Sequence, residues 1–400
     1  ISKASGHGGD GGTHTVYITA SGALWTAGAN EYGQLGDGNT SLRQQPYQVE
    51  QSGVIDVAAG IQHTVYVKSD GSLWGFGRNN QSQLGNSIAK DAIAKSPIKI
   101  VPSGVRKVFA GPYVTAFIKT DGSLWTIGNI ETPDTDGRGG TSLPKPNPAN
   151  NIHSLVDSGV VDAAIGGETA SHLLFIKDDG SLWAYGVNLA GQLGDGTNKS
   201  ISTPKPIVNS GVIAVAAGEQ HSLFVKMDGS LWAMGANWDG QLGTGDNNSS
   251  QIPIKVIESG VQDVGATSFS SFCSKAEAWP WSTGNNQYGE LGTGSWNRED
   301  KTFARVQSIT FETPNINVAA GTTTSLTAHS ATGTYQWYKN GVAIPNATGR
   351  TLTLANFSFS DMAKYSLATT INGITTISGQ MELYYNQGQL WSTSIDRQIE

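Results

Sequence analysis

Short apolar runs with a period of two, each closed by glycine, follow one another along most of the chain. His63-Thr-Val-Tyr-Val-Lys68 and His221-Ser-Leu-Phe-Val-Lys226 show the pattern. Alternation at this period puts one side of a strand in a core and the other outward. Asp-Gly then separates each run from a second one, as at Asp70-Gly71 and Asp228-Gly229. Asp-Gly between strands marks a hairpin, because the turn needs positive φ.

The hairpins belong to a repeat. Asp-Gly-Ser-Leu-Trp occurs at 70–74, 121–125, 179–183 and 228–232, preceded by the variant Ser21-Gly22-Ala23-Leu24-Trp25. Glycine stands three residues after each Trp, and Trp281 with Gly284 continues the series. The Trp residues lie about 51 residues apart on average, the period of a four-stranded unit. Ser-Gly-Val recurs at 52–54, 103–105, 158–160, 210–212 and 259–261. Asn-x-x-Gly-Gln-Leu-Gly closes the unit at 30–36, 188–194 and 237–243, and Asn286–Gly292 carries Glu290 for Gln. Six such units are expected to close into a ring, which removes exposed strand edges.

These residues resemble the regulator of chromosome condensation repeat family over about 12–310. The resemblance implies a β-propeller. Six Trp-marked units and a start inside the first imply six or seven blades, closed by a strand from the other end. Residues 1–312 are assigned to the propeller. Repeat three departs from the frame with an insert, Glu131 to Asn151, that carries Pro133, Pro144, Pro146 and Pro148. Such an insert cannot join a ladder and is expected to project as a loop. Repeat six reads Cys-Ser-Lys-Ala-Glu-Ala-Trp-Pro over 273–280, where the frame expects Phe-Val-Lys-x-Asp-Gly-Ser-Leu. The hypothesis for a scrambled segment of unchanged length is a compensated frameshift, and this blade is expected to be the weakest.

Beyond Glu312 the register ends. Residues 313–386 resemble an immunoglobulin-like domain. Trp337 would be the buried strand aromatic and Tyr365 the tyrosine corner, with Leu367 where antibody-type domains place the second cysteine. The expected fold is therefore all-β: a six- to seven-bladed β-propeller plus a C-terminal immunoglobulin-like β-sandwich. Residues 387–400 are left unassigned, although Gln389-Leu390-Trp391 faintly echoes the blade motif.

Composition narrows the function. Lys and Arg number 25 against 32 Asp and Glu, a net charge of -7, and no basic run occurs. That balance does not suit binding nucleic acid or anionic lipid by charge. The single cysteine, Cys273, excludes an internal disulfide and a Cys-cluster zinc site. No apolar run approaches the roughly 20 residues of a membrane helix. The 51 Gly and 11 Trp fit many tight turns holding packed aromatics. Because Ile1 is not an initiator Met, the chain is expected to be a mature product from which targeting information has been removed.

Candidate chemistry falls into two groups. His14, His63, His172 and His221 recur at one frame position, with Asp10, Glu168 and Glu219 just ahead of three of them. A ring could bring them to a metal, but a residue fixed in the frame more commonly serves as a hydrogen-bonding part inside its blade. The Trp series is read the same way, as packing between blades rather than a sugar-binding stack. Ser-x-x-Lys at 96–99, 142–145 and 202–205 is chance, since each copy holds a proline and lies in a loop. Asp134-Thr-Asp136-Gly137 lacks the downstream Glu of a calcium loop.

The second group is the variable pair inside each Asn-x-x-Gly loop. Tyr32, Trp238, Asp239 and Tyr288 stand there, Tyr113 sits near the histidine frame position, and Trp296 lies in the sixth outgoing loop. Large aromatics on rigid loops, mixed with acids, suit a protein-binding hot spot. The resemblance offers a nuclear exchange factor for a small GTPase and a secreted bacterial inhibitor of β-lactamases as models; net charge and the C-terminal module argue against the first. The expectation is a secreted or surface-displayed bacterial propeller that binds an unidentified protein through these loops, without a cofactor, nucleic acid or membrane span. The alternatives are a hydrolase with its site at the axis or under the 131–151 loop, and a structural adhesion protein.

Overall fold

The computed structural model describes residues 3–7, 13–85, 89, 91–128, 152–167, 171–275, 280–287, 289–293, 297–306, 323–327, 334–355, 361, 363–371, 374–377, 381–386 and 389–393. Six antiparallel four-stranded sheets, each in chain order, span 3–50, 54–101, 105–156, 160–208, 212–257 and 261–305. They are blades 1 to 6 of a β-propeller. The chain divides into compact units 1–278 and 279–400, a boundary that falls inside blade 6. The first strands of successive blades touch: Lys3–His7 against Val54–Ala59, then Val105–Ala110, Val160–Gly166, Val212–Ala217 and Val261–Ala266.

Two separate sequence signatures turn out to be one contact. In the hairpin of blade 2, Gly71 has φ +76, and its carbonyl accepts Val105 N of blade 3 at 2.9 Å. A Cβ on Gly71 would lie 2.8 Å from Gly104 N. The Asp-Gly of one blade is thus packed against the Ser-Gly-Val that opens the next. Gly22, Gly122, Gly180 and Gly229 repeat it, accepting Val54, Val160, Val212 and Val261 N at 2.9–3.0 Å.

The rest of the motif builds the hairpin. Asp228 Oδ1 accepts both Ser230 N (2.9 Å) and Ser230 Oγ (2.5 Å), and Trp232 Nε1 donates to that Oγ at 2.9 Å. Asp70, Ser72 and Trp74 make the same chain, as do Asp121, Ser123 and Trp125. Each hydroxyl holds its carboxyl below the usual range. Leu73, Leu124, Leu182 and Leu231 between Ser and Trp are fully buried. The Trp rings are only partly buried. Trp74 and Trp125 pack on a core shared by blades 1 to 3. Trp125, Trp183 and Trp232 stack on the facing Phe117, Phe175 and Phe224 at 6.0–6.4 Å, each with a Lys ammonium 4.1–4.8 Å from the ring centre.

Outer strands carry Pro46, Pro97, Pro204 and Pro253. At each the ladder shifts: Thr26 pairs with Tyr47 but Gly28 with Arg43, and Ala233 with Ile254 but Gly235 with Ser250. Proline removes a donor from the open edge, which blunts it against further pairing.

In the second unit, Thr324–Thr327 pairs with Thr351–Leu354. A larger sheet runs Val342–Ala343, Thr334–Lys339, Ala363–Ile371, Met381–Asn386, Gln389–Thr393, with Ile374–Ile377 also on Ala363–Ile371. Trp337 is fully buried and its Nε1 donates to Gly349 O at 3.0 Å. Because Gln389–Thr393 is the partner of Met381–Asn386, the expected boundary at 386/387 falls between two paired strands. The 131–151 insert and residues 276–279 of the disturbed segment lie outside the described residues.

Candidate functional site

Two loops per blade share one end of the propeller. One joins the first strand to the second, such as Ile61-Gln62 or Glu219-Gln220; the other joins the third to the outer strand and carries Asn-x-x-Gly-Gln-Leu-Gly. The Asp-Gly and Ser-Gly turns occupy the opposite end. Arg78 ties the two loop types together, donating from its backbone N to Gln62 O (2.8 Å) and from Nη1 to Gln62 Oε1 (2.7 Å).

Within the second loop type, the invariant residues face inward. Asn237 Oδ1 accepts Leu242 N at 2.8 Å, and Gln241 Oε1 accepts Asp239 N at 2.9 Å. Asn30 with Gln34, Asn79 with Gln83, and Asn188 with Gln192 repeat this within a few tenths of an ångström. Asn, Gln and Leu are buried in each case. Ser82 stands where the other blades use Gly and adopts the same left-handed backbone, φ +61.

The variable pair is left outside. Trp238 is 57% exposed and Leu189 64%. Tyr32 is half-buried under the Arg78 guanidinium, 4.6 Å from its ring centre. Asp239 and Tyr113 are half-buried. The structure therefore brings Tyr32, Tyr113, Trp238 and Asp239 to one end, on blades 1, 3 and 5. Tyr288 and Trp296 lie outside the described residues. Sequence reasoning passed over Leu189, Ile252 (58% exposed) and Phe269 (41%) at this end. Leu189 stands in a variable pair, but an aliphatic residue carries no sequence signal that separates a surface position from a core one.

The histidines have a different task from the one expected. All four are buried. Their Nε2 atoms meet Thr64, Thr115, Ser222 and Ser271 hydroxyls of the next blade at 2.9, 3.1, 3.0 and 2.9 Å. Those hydroxyls donate back to Gln34, Gln83, Gln192 and Gln241 carbonyls of the histidine's own blade at 2.6–2.9 Å. A hydroxyl has one proton, so Nε2–H must be the imidazole's donor. The bond thus leaves the blade rather than staying inside it: the histidine and the glutamine carbonyl clamp a neighbour's hydroxyl. Burial lowers the His172 pKa to about 4 and that of His221 to about 3, so both are neutral at neutral pH. Gly218 leaves room for the ring, since a Cβ there would lie 2.1 Å from His221 Cε1. Among the described residues, no group of three or more His, Cys, Asp or Glu could hold a metal ion.

Blade 3 shows what the clamp requires. Its frame position is Val114, not Tyr113, because Val114 pairs with Gly128 as His63 pairs with Gly77. The next blade's hydroxyl position holds Leu173, and both residues are buried in one apolar cluster. Blade 3 also lacks Gly-Gln-Leu-Gly. Donor, hydroxyl and carbonyl segment are lost together.

The family model described as RCC1-like domain matches residues 9–327. E3 ubiquitin-protein ligase HERC2 of Mus musculus and of Homo sapiens is 28% identical over 201 residues, 49% of this chain and 4% of the relative. The chain thus spans a small fraction of the curated relatives it matches. A structure of yeast RCC1 (Prp20) bound to Kap60 is similar at TM-score 0.63 and 22% identity, covering 74% of each chain. One of Prp20p from Saccharomyces cerevisiae, studied with its binding to Gsp1p and histones, gives 0.62 and 22%, covering 74% and 76%. Human WBSCR16 gives 0.59 and 20%, covering 84% of this chain and 99% of its own. No helix among the described residues is long and apolar enough to cross a membrane.

Proposed function

The chain belongs to the RCC1-like family, and from that premise we propose that it is a protein-binding module whose partner docks on the loop-bearing end. The observation that carries this is the division of labour inside each Asn-x-x-Gly loop. The recurring Asn and Gln are buried and hydrogen-bonded in blades 1, 2, 4 and 5, while the variable residues are half-buried or exposed, Leu189 and Trp238 being the exposed apolar ones. A rigid frame that holds variable side chains outward is the arrangement a recognition surface needs. Gsp1p, histones and Kap60 are named as binding Prp20; the kind of partner carries over here, not its identity.

The C-terminal unit we read as immunoglobulin-like. Support comes from the buried Trp337 and from Tyr365, whose Oη donates to Asp361 O, four residues upstream, at 2.8 Å. On that reading it is a spacer or adhesive module, and the location we propose is outside a bacterial cell.

Affinity capture on the immobilised chain tests the function, beside a Tyr32→Ala, Tyr113→Ala and Trp238→Ala variant with unchanged circular dichroism. A defined protein retained by the wild type and lost by the variant is the expected result. Equal retention by both would remove the loop-bearing end from the proposal. Cell fractionation with an antibody to the C-terminal unit tests the location.

A further inference from the structure

Leu189 and Trp238 occupy the same place, the first variable position, on adjacent blades 4 and 5. The corresponding residues elsewhere are Glu31, Asn80 and Gln287. Ile252 precedes the outer-strand proline of blade 5, where other blades hold Gln45, Ser96 and Thr203. Three positions that the frame fills with polar residues are thus apolar here, and they are 64%, 57% and 58% exposed.

The loops that bear the first two are both tied to the segment that leads into Ile252. Gly196 N, in the loop of Leu189, donates to Gln251 O at 2.9 Å, and a Cβ on Gly191 would lie 2.7 Å from Gln251 Cα. The Trp238 loop is joined to the residues just before the same strand. Asn237 N donates to Ser249 Oγ at 3.2 Å, and Asn247 Nδ2 donates to Trp238 O at 2.6 Å. Both loops are therefore hydrogen-bonded to residues 247–251, directly ahead of Ile252.

The surroundings are acidic. Asp239 adjoins Trp238, and exposed Asp246 lies in the same loop, where its carboxylate accepts hydrogen bonds from Asn237, Thr244 and Asn248 and makes no ion pair among the described residues. The Thr244 hydroxyl holds the Asp246 carboxyl below the usual range, so it is ionised at neutral pH. Lys199 is exposed in the Leu189 loop, and Asp195 of that loop is paired with Lys205.

We infer that Leu189, Trp238 and Ile252 form a docking surface for a protein segment carrying an apolar anchor flanked by Lys or Arg. This rests on the protein-binding reading above and gives it a location and a partner chemistry. The apolar trio supplies desolvated contact area, and the acids set orientation and association rate.

Random dodecapeptides displayed on phage and selected on the immobilised full chain provide the test. The control is a Leu189→Gln, Trp238→Asn, Ile252→Ser variant, which uses residues that other blades already hold at these positions. Enriched peptides are expected to carry an aromatic or aliphatic residue flanked by Lys or Arg. Made synthetically, they should bind the variant about tenfold or more weakly. Asp239→Asn with Asp246→Asn should slow their association without changing dissociation. Equal binding to wild type and variant, or enrichment of acidic peptides, overturns the inference. If peptides survive the trio variant but are lost on Tyr32→Ala with Tyr113→Ala, the binding end stands and only this patch falls. If no peptide is enriched over the bare support, both readings fall.

Discussion

At the residue scale, the most informative positions break their own frame. Ser82 takes a left-handed φ of +61 where Gly33, Gly191 and Gly240 have +71, +84 and +76. A non-glycine residue there costs on the order of 1–2 kcal/mol. Ser82→Gly is therefore expected to raise stability by about 1 kcal/mol, read as a shift in urea midpoint at constant slope. A lower midpoint would mean that the Ser82 side chain contributes more than the strain it bears. Cys273 stands in the frame where Phe117, Phe175 and Phe224 stack on their Trp residues. It is 2% exposed, and burial raises its thiol pKa to about 11. It should resist a thiol reagent such as Ellman's in the native protein and react fully in denaturant; rapid native reaction would show that this strand opens. Glycine and proline made the turns legible from sequence, because their conformational limits are local. The left-handed backbone of Ser82 and the role of Val114 were not legible: the first needs a φ value and the second a register.

At the element scale, the strands, hairpins and six-unit repeat were readable because each depends on alternation or on a turn residue close by. What joins one blade to the next was not. The Asp-Gly to Ser-Gly-Val contact and the histidine clamps link residues about 30 to 50 apart, and only the fold shows that they meet. The candidate site was half legible for the same reason. The variable pairs announced themselves, but the exposure of Leu189 and the bond from its loop to Gln251 depend on how two blades abut. The clamp makes a sharp prediction, because blade 3 has already replaced it. His172→Val alone removes the Nε2–H donor to Ser222, and Ser222→Leu alone sets an apolar side chain against an imidazole. Each should cost about 1–3 kcal/mol. The pair together, copying Val114 and Leu173, should cost less than the sum, with a coupling of about 1 kcal/mol or more in a double-mutant cycle of urea unfolding. Strict additivity would mean that the buried hydrogen bond and the apolar contact are not interchangeable solutions of one junction.

For the molecule as a whole, two of the junctions carry a sensitivity to acid, those closed by His172 and His221. The junctions between blades 1 and 2, 2 and 3, 4 and 5, and 5 and 6 are closed by a buried imidazole, and the one between 3 and 4 by Val114 and Leu173. Burial holds His172 and His221 at about 4 and about 3, far below the roughly 6.5 of an unfolded chain. Above about pH 6.5 both folded and unfolded states carry these residues neutral, and stability does not depend on them. Below it the unfolded chain takes up protons that the folded one refuses until pH 4 or lower. Stability is thus full above the unfolded value and falls as pH drops, by about 1.4 kcal/mol per pH unit for each histidine. The lowered carboxyls of Asp70, Asp121 and Asp228 act with the same sign, but only nearer pH 4 and below. Urea midpoints measured from pH 8 to 4.5 should therefore be level down to about 6.5 and then descend. The His172→Val, Ser222→Leu protein should descend less steeply, because one titrating junction has become apolar. A level midpoint down to pH 4.5 would show that the imidazoles take up protons in place, and an unchanged slope in the double variant would move the acid sensitivity elsewhere. Hydrogen exchange at pH 5 locates the effect: amides at the junction of blades 3 and 4 should stay protected after those around His172 and His221 have begun to exchange.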